Sequence, residues 1–156
     1  MVDMTVNIVR IERRTVYGVW CDANDQTVSA NIKSLAEKYA AAVALPKESV
    51  WPYVVLSRNY HEQSGDFEML IGGPVEKDGL NAFELPEGEY AVMRIKPKWG
   101  FLWGASIGEG KRFFYKKWLP QREYRALNME YEYHTGKSIG WHPSVELVFA
   151  IERKAP

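Results

Sequence analysis

Glu130 and Glu132 stand two residues apart in the stretch Leu127 to Gly140, interleaved with Met129, Tyr131 and Tyr133. In an extended strand alternate side chains point to opposite faces, so the two carboxylates share one face and the three large apolar groups the other. Such a face is ordinary if it is the solvated side of an antiparallel sheet. It becomes a chemical site if aromatic rings surround it, because a partly desolvated carboxylate is a counter-charge for a cation or, with its pKa raised, a base. Other chemistry-bearing residues are less organised. His61, His134 and His142 have no metal-ligand spacing, and the first two occupy equivalent hairpin positions where turn or surface roles are expected. The glycine-rich runs at Gly72-Gly73-Pro74 and Gly104 to Gly110 match no phosphate loop. Ser106 has no visible base partner, and Cys21 has no marked basic neighbours, so a structural thiol is expected. The sequence therefore predicts no metal and no cofactor.

The elements that must carry these acids fit one domain, residues 1–156. A hydrophobic content of 46%, with six Trp and nine Tyr, supports an aromatic-rich core rather than disorder. Twenty basic residues balance twenty acidic ones and no basic stripe is visible, which argues against a nucleic-acid partner. The single cysteine excludes an internal disulfide and fits a reducing compartment. No secretory leader and no apolar run of membrane length is present, so a cytoplasmic protein without membrane contact is expected.

The opening Val6 to Ala23 reads as two extended segments broken near Glu12 to Arg14. Val28, Ile32, Leu35, Tyr39 and Val43 then follow a helical period, with Thr27 as cap and Pro46 beyond the end. Strand-like runs follow at Val50 to Tyr60, Phe67 to Val75 and Leu85 to Lys96. A helix is predicted over Trp103 to Leu119, weakened by Gly104, Gly108 and Gly110. Strands at Asn128 to His134 and Ser144 to Arg153 close the chain. The order is one strand, then βαββ twice, and a fixed offset supports duplication. Val16 to Val19 matches Glu89 to Val92, and Tyr60-His61 matches Tyr133-His134, both shifted by 73; Phe67 to Ile71 matches Val145 to Phe149, shifted by 78. The prediction is an α+β fold. Two βαββ repeats, about 15–75 and 88–153, form an antiparallel sheet with two main helices, pseudo-two-fold symmetry and a cleft between the repeats.

Under the shift of 73, Glu130 corresponds to Ser57 and Glu132 to Asn59. The same face extends back through Val55, Tyr53 and Trp51, bringing aromatics of one repeat to acids of the other. The opposite face, with Val54, Leu56, Met129 and Tyr131, is the one expected to pack under the helices.

The succession Ile71-Gly72-Gly73-Pro74-Val75, Leu85 to Val92, Trp118-Leu119-Pro120 and Tyr131-Glu132-Tyr133-His134 resembles the gyrase-inhibitory-protein-like (GyrI-like) domain. That domain is also the effector-binding domain of AraC- and MerR-type multidrug-responsive transcription regulators. The resemblance runs from about Val6 to Arg153, although Tyr131 replaces the family's usual Phe and His134 its usual Tyr. It implies a duplicated βαββ fold whose pocket takes lipophilic, often cationic drugs among aromatics and a buried glutamate. That acid falls on Glu132, or on Glu130 if the strand is aligned two residues earlier. In the regulators a helix-turn-helix region comes first; here a strand starts within a few residues of Met1, so a free-standing form without direct DNA contact is expected.

The expected pocket therefore joins Glu132 and Glu130 to Trp51, Tyr53 and Val55, with Trp99 and Trp103 at its rim beside Gly100. Burial is expected to raise the pKa of Glu132. The leading function is sequestration or sensing of lipophilic cations. Two alternatives use the same protein differently. One is hydrolysis of reactive xenobiotics with Glu132 as the catalytic residue; the other is a protein-interaction role such as gyrase modulation.

Overall fold

Alternating apolar side chains and two helical stripes build the chain as seen in a computed structural model, which describes residues 4–43, 52–97, 103–135 and 143–155. The strands are β1 (Asn7–Ile11), β2 (Arg14–Asn24), β3 (Tyr53–Arg58), β4 (Asp66–Gly73), β5 (Asn81–Leu85), β6 (Gly88–Ile95), β7 (Tyr124–His134) and β8 (Val145–Arg153). The helices are α1 (Val28–Val43) and α2 (Trp103–Phe113). Among the described residues the eight strands form one sheet in the order β1-β6-β8-β7-β3-β4-β2-β5, with every pairing antiparallel. The fold is α+β, as the sequence predicts.

The order is symmetric about the β7–β3 junction. Outward on one side run β3, β4, β2 and β5; on the other run β7, β8, β6 and β1. Each outer strand is exchanged: β1 leads into β2 but pairs with β6, while β5 leads into β6 but pairs with β2. Ser57 and Glu130, equivalent under the 73-residue shift, face each other directly across the junction. The strand β5 was not anticipated from sequence. Only Leu85 of its five residues is buried, so this edge strand lacks the alternating apolar signature.

The sheet curls. Arg14 of β2 donates to the Tyr131 hydroxyl of β7 at 2.9 Å, although two strands lie between them. Val16, Val54, Leu56, Leu70, Leu85, Tyr90, Tyr131, Val148 and Ala150 fill the inside of this half-barrel. The expectation that Val54, Leu56, Met129 and Tyr131 lie under the helices is therefore corrected. Their face closes on itself through curvature, and both helices pack on the other face, the one that carries the acids. There α1 packs Leu35, Tyr39 and Val43 against Val55, Phe67, Met69 and Ile71. Beneath α2 lie Met93, Ile95, Leu147 and Phe149, joined by Phe114. Each such fully buried large side chain contributes on the order of 1.5–3 kcal/mol.

Two glycines set how closely the helices approach. A Cβ on Gly73 would lie 2.3 Å from the Tyr39 hydroxyl oxygen, and one on Gly110 would lie 2.7 Å from Ile95 Cδ1. Gly110 thus costs helix propensity but lets α2 sit down on the sheet, which is why the helix forms despite its three glycines. The predicted single helix to Leu119 is instead α2, then a π-helical turn over Phe114–Trp118 and a 3-10 turn over Leu119–Gln121. Pro120 has no amide hydrogen to continue an α-helix, and the wider turn keeps Phe114 stacked on both Trp118 and Phe149.

Candidate functional site

The helices leave a strip of sheet between them. α1 covers β2 and β4, α2 covers β6 and β8, and β3 and β7 run down the middle. On the helix side of this strip the register sets Val55 opposite Glu132, Ser57 opposite Glu130 and Tyr53 opposite His134. Near its start β7 carries a bulge: Leu127, Asn128 and Met129 span the gap that Ala150 alone fills on β8. Asn128 takes a left-handed conformation there (φ 56°), which asparagine tolerates, and its side chain bonds both the amide and the carbonyl of Tyr60. The bulge ends immediately before Glu130 and so fixes where the acid pair emerges.

The two acids have different surroundings. Glu130 uses both oxygens: the Tyr115 hydroxyl donates to Oε1 at 2.7 Å, and Lys111 Nζ meets Oε2 at 2.9 Å. Lys111 and Tyr115 lie four apart along the end of α2 and its π turn, and so project from one flank. Tyr115 is itself held edge-on against Phe114 and Phe149. Glu132 has a single partner among the described residues: its Oε1 lies 3.0 Å from His134 Nε2. The Glu132 side chain is 15% exposed and that of His134 14%. The His134 ring stacks on Tyr53 with centroids 4.8 Å apart.

Electrostatics overturn the expectation of a raised Glu132 pKa. Burial does push it up, but the His134 hydrogen bond and the charges of Lys111 and His134 outweigh burial and hold the carboxyl below its usual range. Glu132 is thus ionised at neutral pH, and its lowered pKa makes it a weaker base than an ordinary carboxylate. Burial disfavours the Lys111 ammonium, yet attraction to Glu130 and Glu132 and its bond to Glu130 raise its pKa overall. The Tyr53 hydroxyl is pushed up to about 12 by burial and then by the Glu132 charge. The Tyr115 hydroxyl is pushed up strongly by burial and by Glu130, so it remains a donor.

Of the sequence-predicted site residues, Glu130, Glu132, Tyr53 and Val55 share this strip. Trp51, Trp99 and the side chain of Trp103 lie outside the described residues, as does His142. Sequence reasoning missed Lys111 and Tyr115, whose only signal was their helical spacing, and read His134 as a surface or turn residue. His134 instead reaches back along its own strand face to Glu132, two residues away. Gly104 and Gly108, about two turns and one turn before Lys111 on α2, have nothing within 4 Å of where a Cβ would sit. At these two positions that flank of the helix is open among the described residues.

A separate open recess of about 300 Å³ is lined by Trp20, Cys21, Asp22, Arg58 and Glu68. Its one cation is already engaged: the Arg58 guanidinium lies 4.3 Å from the Trp20 ring centroid and bonds Glu68 at 3.0 Å. Burial and the neighbouring Asp22 charge push the Cys21 thiol up, which makes it a poor nucleophile. Among the described residues no group of His, Cys, Asp and Glu could hold a metal ion. No helix among them is long and apolar enough to cross a membrane.

A family model, the GyrI-like small molecule binding domain, matches residues 4–135. No curated protein matches the chain significantly. Solved structures share the fold across nearly the whole chain. One is an integron cassette protein from the mobile metagenome of Vibrio cholerae, at 18% identity and TM-score 0.67, covering 94% of this chain and 95% of that one. A second is SAV2435, solved bound to tetraphenylphosphonium, at 9% identity and TM-score 0.72, covering 96% and 94%. A third is the C-terminal domain of EcmrR, at 13% identity and TM-score 0.61, covering 96% and 98%.

Proposed function

This chain belongs to the GyrI-like small molecule binding domain family, and from that premise we propose that it binds lipophilic monocations in the strip between α1 and α2. Glu132 is the counter-charge, and the ligand is held for sequestration or sensing. The observation that carries this reading is the state of Glu132. It is an ionised carboxylate on a central strand, largely covered, and hydrogen-bonded among the described residues to His134 alone. Val55 and Tyr53 supply apolar and aromatic surface beside it, Tyr115 stands at the neighbouring Glu130, and the open space at Gly104 and Gly108 leaves room along the helix. Each aromatic face turned to a cation contributes about 0.5–2 kcal/mol, and flat rings tolerate varied ligand shapes. Glu130 has its charge met by Lys111 and is a framework acid rather than the ligand's partner.

Calorimetric titration tests this with three probes of similar bulk. These are tetraphenylphosphonium as the cation, triphenylphosphine oxide as the neutral probe and tetraphenylborate as the anion. The cation is expected to bind at least about tenfold more tightly than the others, about 1.4 kcal/mol. Glu132→Gln should erase that preference while retaining the neutral probe. Equal affinity across the three charges, or a Glu132→Gln protein that still prefers the cation, would sink the proposal.

A further inference from the structure

The proposed site already contains a cation of its own. Lys111 Nζ is 2.9 Å from Glu130 Oε2, its side chain is only 32% exposed, and it acts electrostatically on Glu132 as well. We propose that Lys111 is a tethered occupant of a second cation position, at Glu130, and so limits the cleft to ligands with one positive charge. The inference rests on the reading of the strip as a cation site and adds what sets the number of charges it accepts.

The argument is a count of charge and of bonds. Glu130 and Glu132 bring two carboxylates and Lys111 one ammonium, which is bonded to Glu130, so Glu132 is the carboxylate left without a lysine or arginine bonded to it among the described residues. The bonds divide the same way. Both Glu130 oxygens are engaged, by Lys111 and by the Tyr115 hydroxyl, whereas among the described residues Glu132 Oε2 receives no hydrogen bond. A second ligand charge would have to displace an ammonium anchored to α2 by its own side chain, or be held near it against like-charge repulsion. The two carboxylates are two strand positions apart, about 7 Å. Once Lys111 is removed, that spacing matches a rigid dication such as dimethyl-4,4′-bipyridinium.

Gly104 and Gly108 support the assignment. Lys111 follows them along the flank of α2 on which they leave open space, so a ligand lying along that flank would meet its ammonium. A lysine with a purely structural role would hold the helix to β7, and its loss would lower stability without changing the order of affinities among mono- and dications.

The test compares the wild-type protein with Lys111→Met, which keeps the apolar stem and deletes the charge. Each is titrated with tetraphenylphosphonium, dimethyl-4,4′-bipyridinium and neutral triphenylphosphine oxide. Lys111→Met is expected to bind the monocation at least fivefold more tightly and the dication at least fiftyfold more tightly, with the neutral probe within twofold. In Lys111→Met/Glu130→Gln, which also removes the unpaired acid, both gains should vanish; Lys111→Gln, which deletes the charge but can still donate to Glu130, should show the same two gains and covers the case in which Lys111→Met folds poorly. If the wild-type protein binds the monocation through Glu132 but Lys111→Met binds neither cation more tightly, this inference fails and the proposed function stands. If neither protein binds any cation, both fall.

Discussion

Tyr53 of β3 and His134 of β7 face each other across the centre of the sheet with their rings stacked at 4.8 Å and 9°. The stack fixes the plane of the imidazole, and the imidazole in turn holds Glu132 at 3.0 Å. A ring from the first half of the chain thus orients the partner of an acid from the second half. The junction between the halves is therefore more than a seam in the sheet, since the surroundings of Glu132 depend on its register.

His134→Ala should cost about 1–3 kcal/mol, the range for losing a hydrogen bond to a charged, largely covered group. It should also let the Glu132 carboxyl titrate at higher pH. Urea unfolding reads the first effect and carbon NMR of the Glu132 carboxyl reads the second. An unmoved Glu132 titration would assign the lowered pKa to Lys111 alone.

The acid limb of stability follows from the sign of the Glu132 shift. Its folded pKa lies below its ordinary value of 4.5. Its contribution is therefore present above that value and is lost as pH falls through the lower folded one. Glu132→Gln should make urea midpoints less steep across the acid range. Asp66 and Glu68, held down by Asn24 and Asn59 respectively, keep part of the slope. Lys111 behaves oppositely. Its folded pKa lies above 10.5, so its contribution is complete below that value and is lost as pH rises through the folded one. Lys111→Met should flatten the alkaline limb and, because its charge also lowers the Glu132 pKa, weaken part of the acid limb.

Gly73→Ala should destabilise the fold by about 1–3 kcal/mol, because its Cβ would stand 2.3 Å from the Tyr39 hydroxyl oxygen in a packed interface. Tyr39→Phe removes that atom. Combining the two should recover most of the loss, and thermal unfolding of all four proteins completes the cycle. A double variant no more stable than the sum of the singles would place the strain at the Pro52 carbonyl, 3.0 Å from the same point.

Gly108→Leu should separate binding from stability. The position has open space around it, and replacing a helical glycine gains about 0.5–1 kcal/mol. The variant is therefore expected to melt at or above the wild-type temperature. If a ligand lies along this flank, the same leucine should weaken tetraphenylphosphonium binding at least tenfold. Retained affinity would move the ligand away from α2.

The sequence by itself determined the class of fold, the helical stripe Leu35-Tyr39-Val43, most of the strands and the pairing of two halves at an offset of 73. These follow from local periodicity and internal self-similarity, which need only neighbouring residues to be legible. It also placed Glu130 and Glu132 on one face with Val55 and Tyr53, because side-chain alternation is a property of the strand itself. Three matters were decided only by tertiary structure. Which face the helices cover depended on the curl of the sheet, through which Arg14 reaches Tyr131 and an apolar face buries itself without a helix. The edge strand β5 depended on β2 being there to pair with it. The ionisation of Glu132 depended on Lys111, twenty-one residues away in the chain, and on a histidine whose ring is set by Tyr53. Burial alone argues for a raised pKa. Charges and hydrogen bonds brought in from other elements reverse the sign, because their effect falls off with distance in space and not with separation along the sequence.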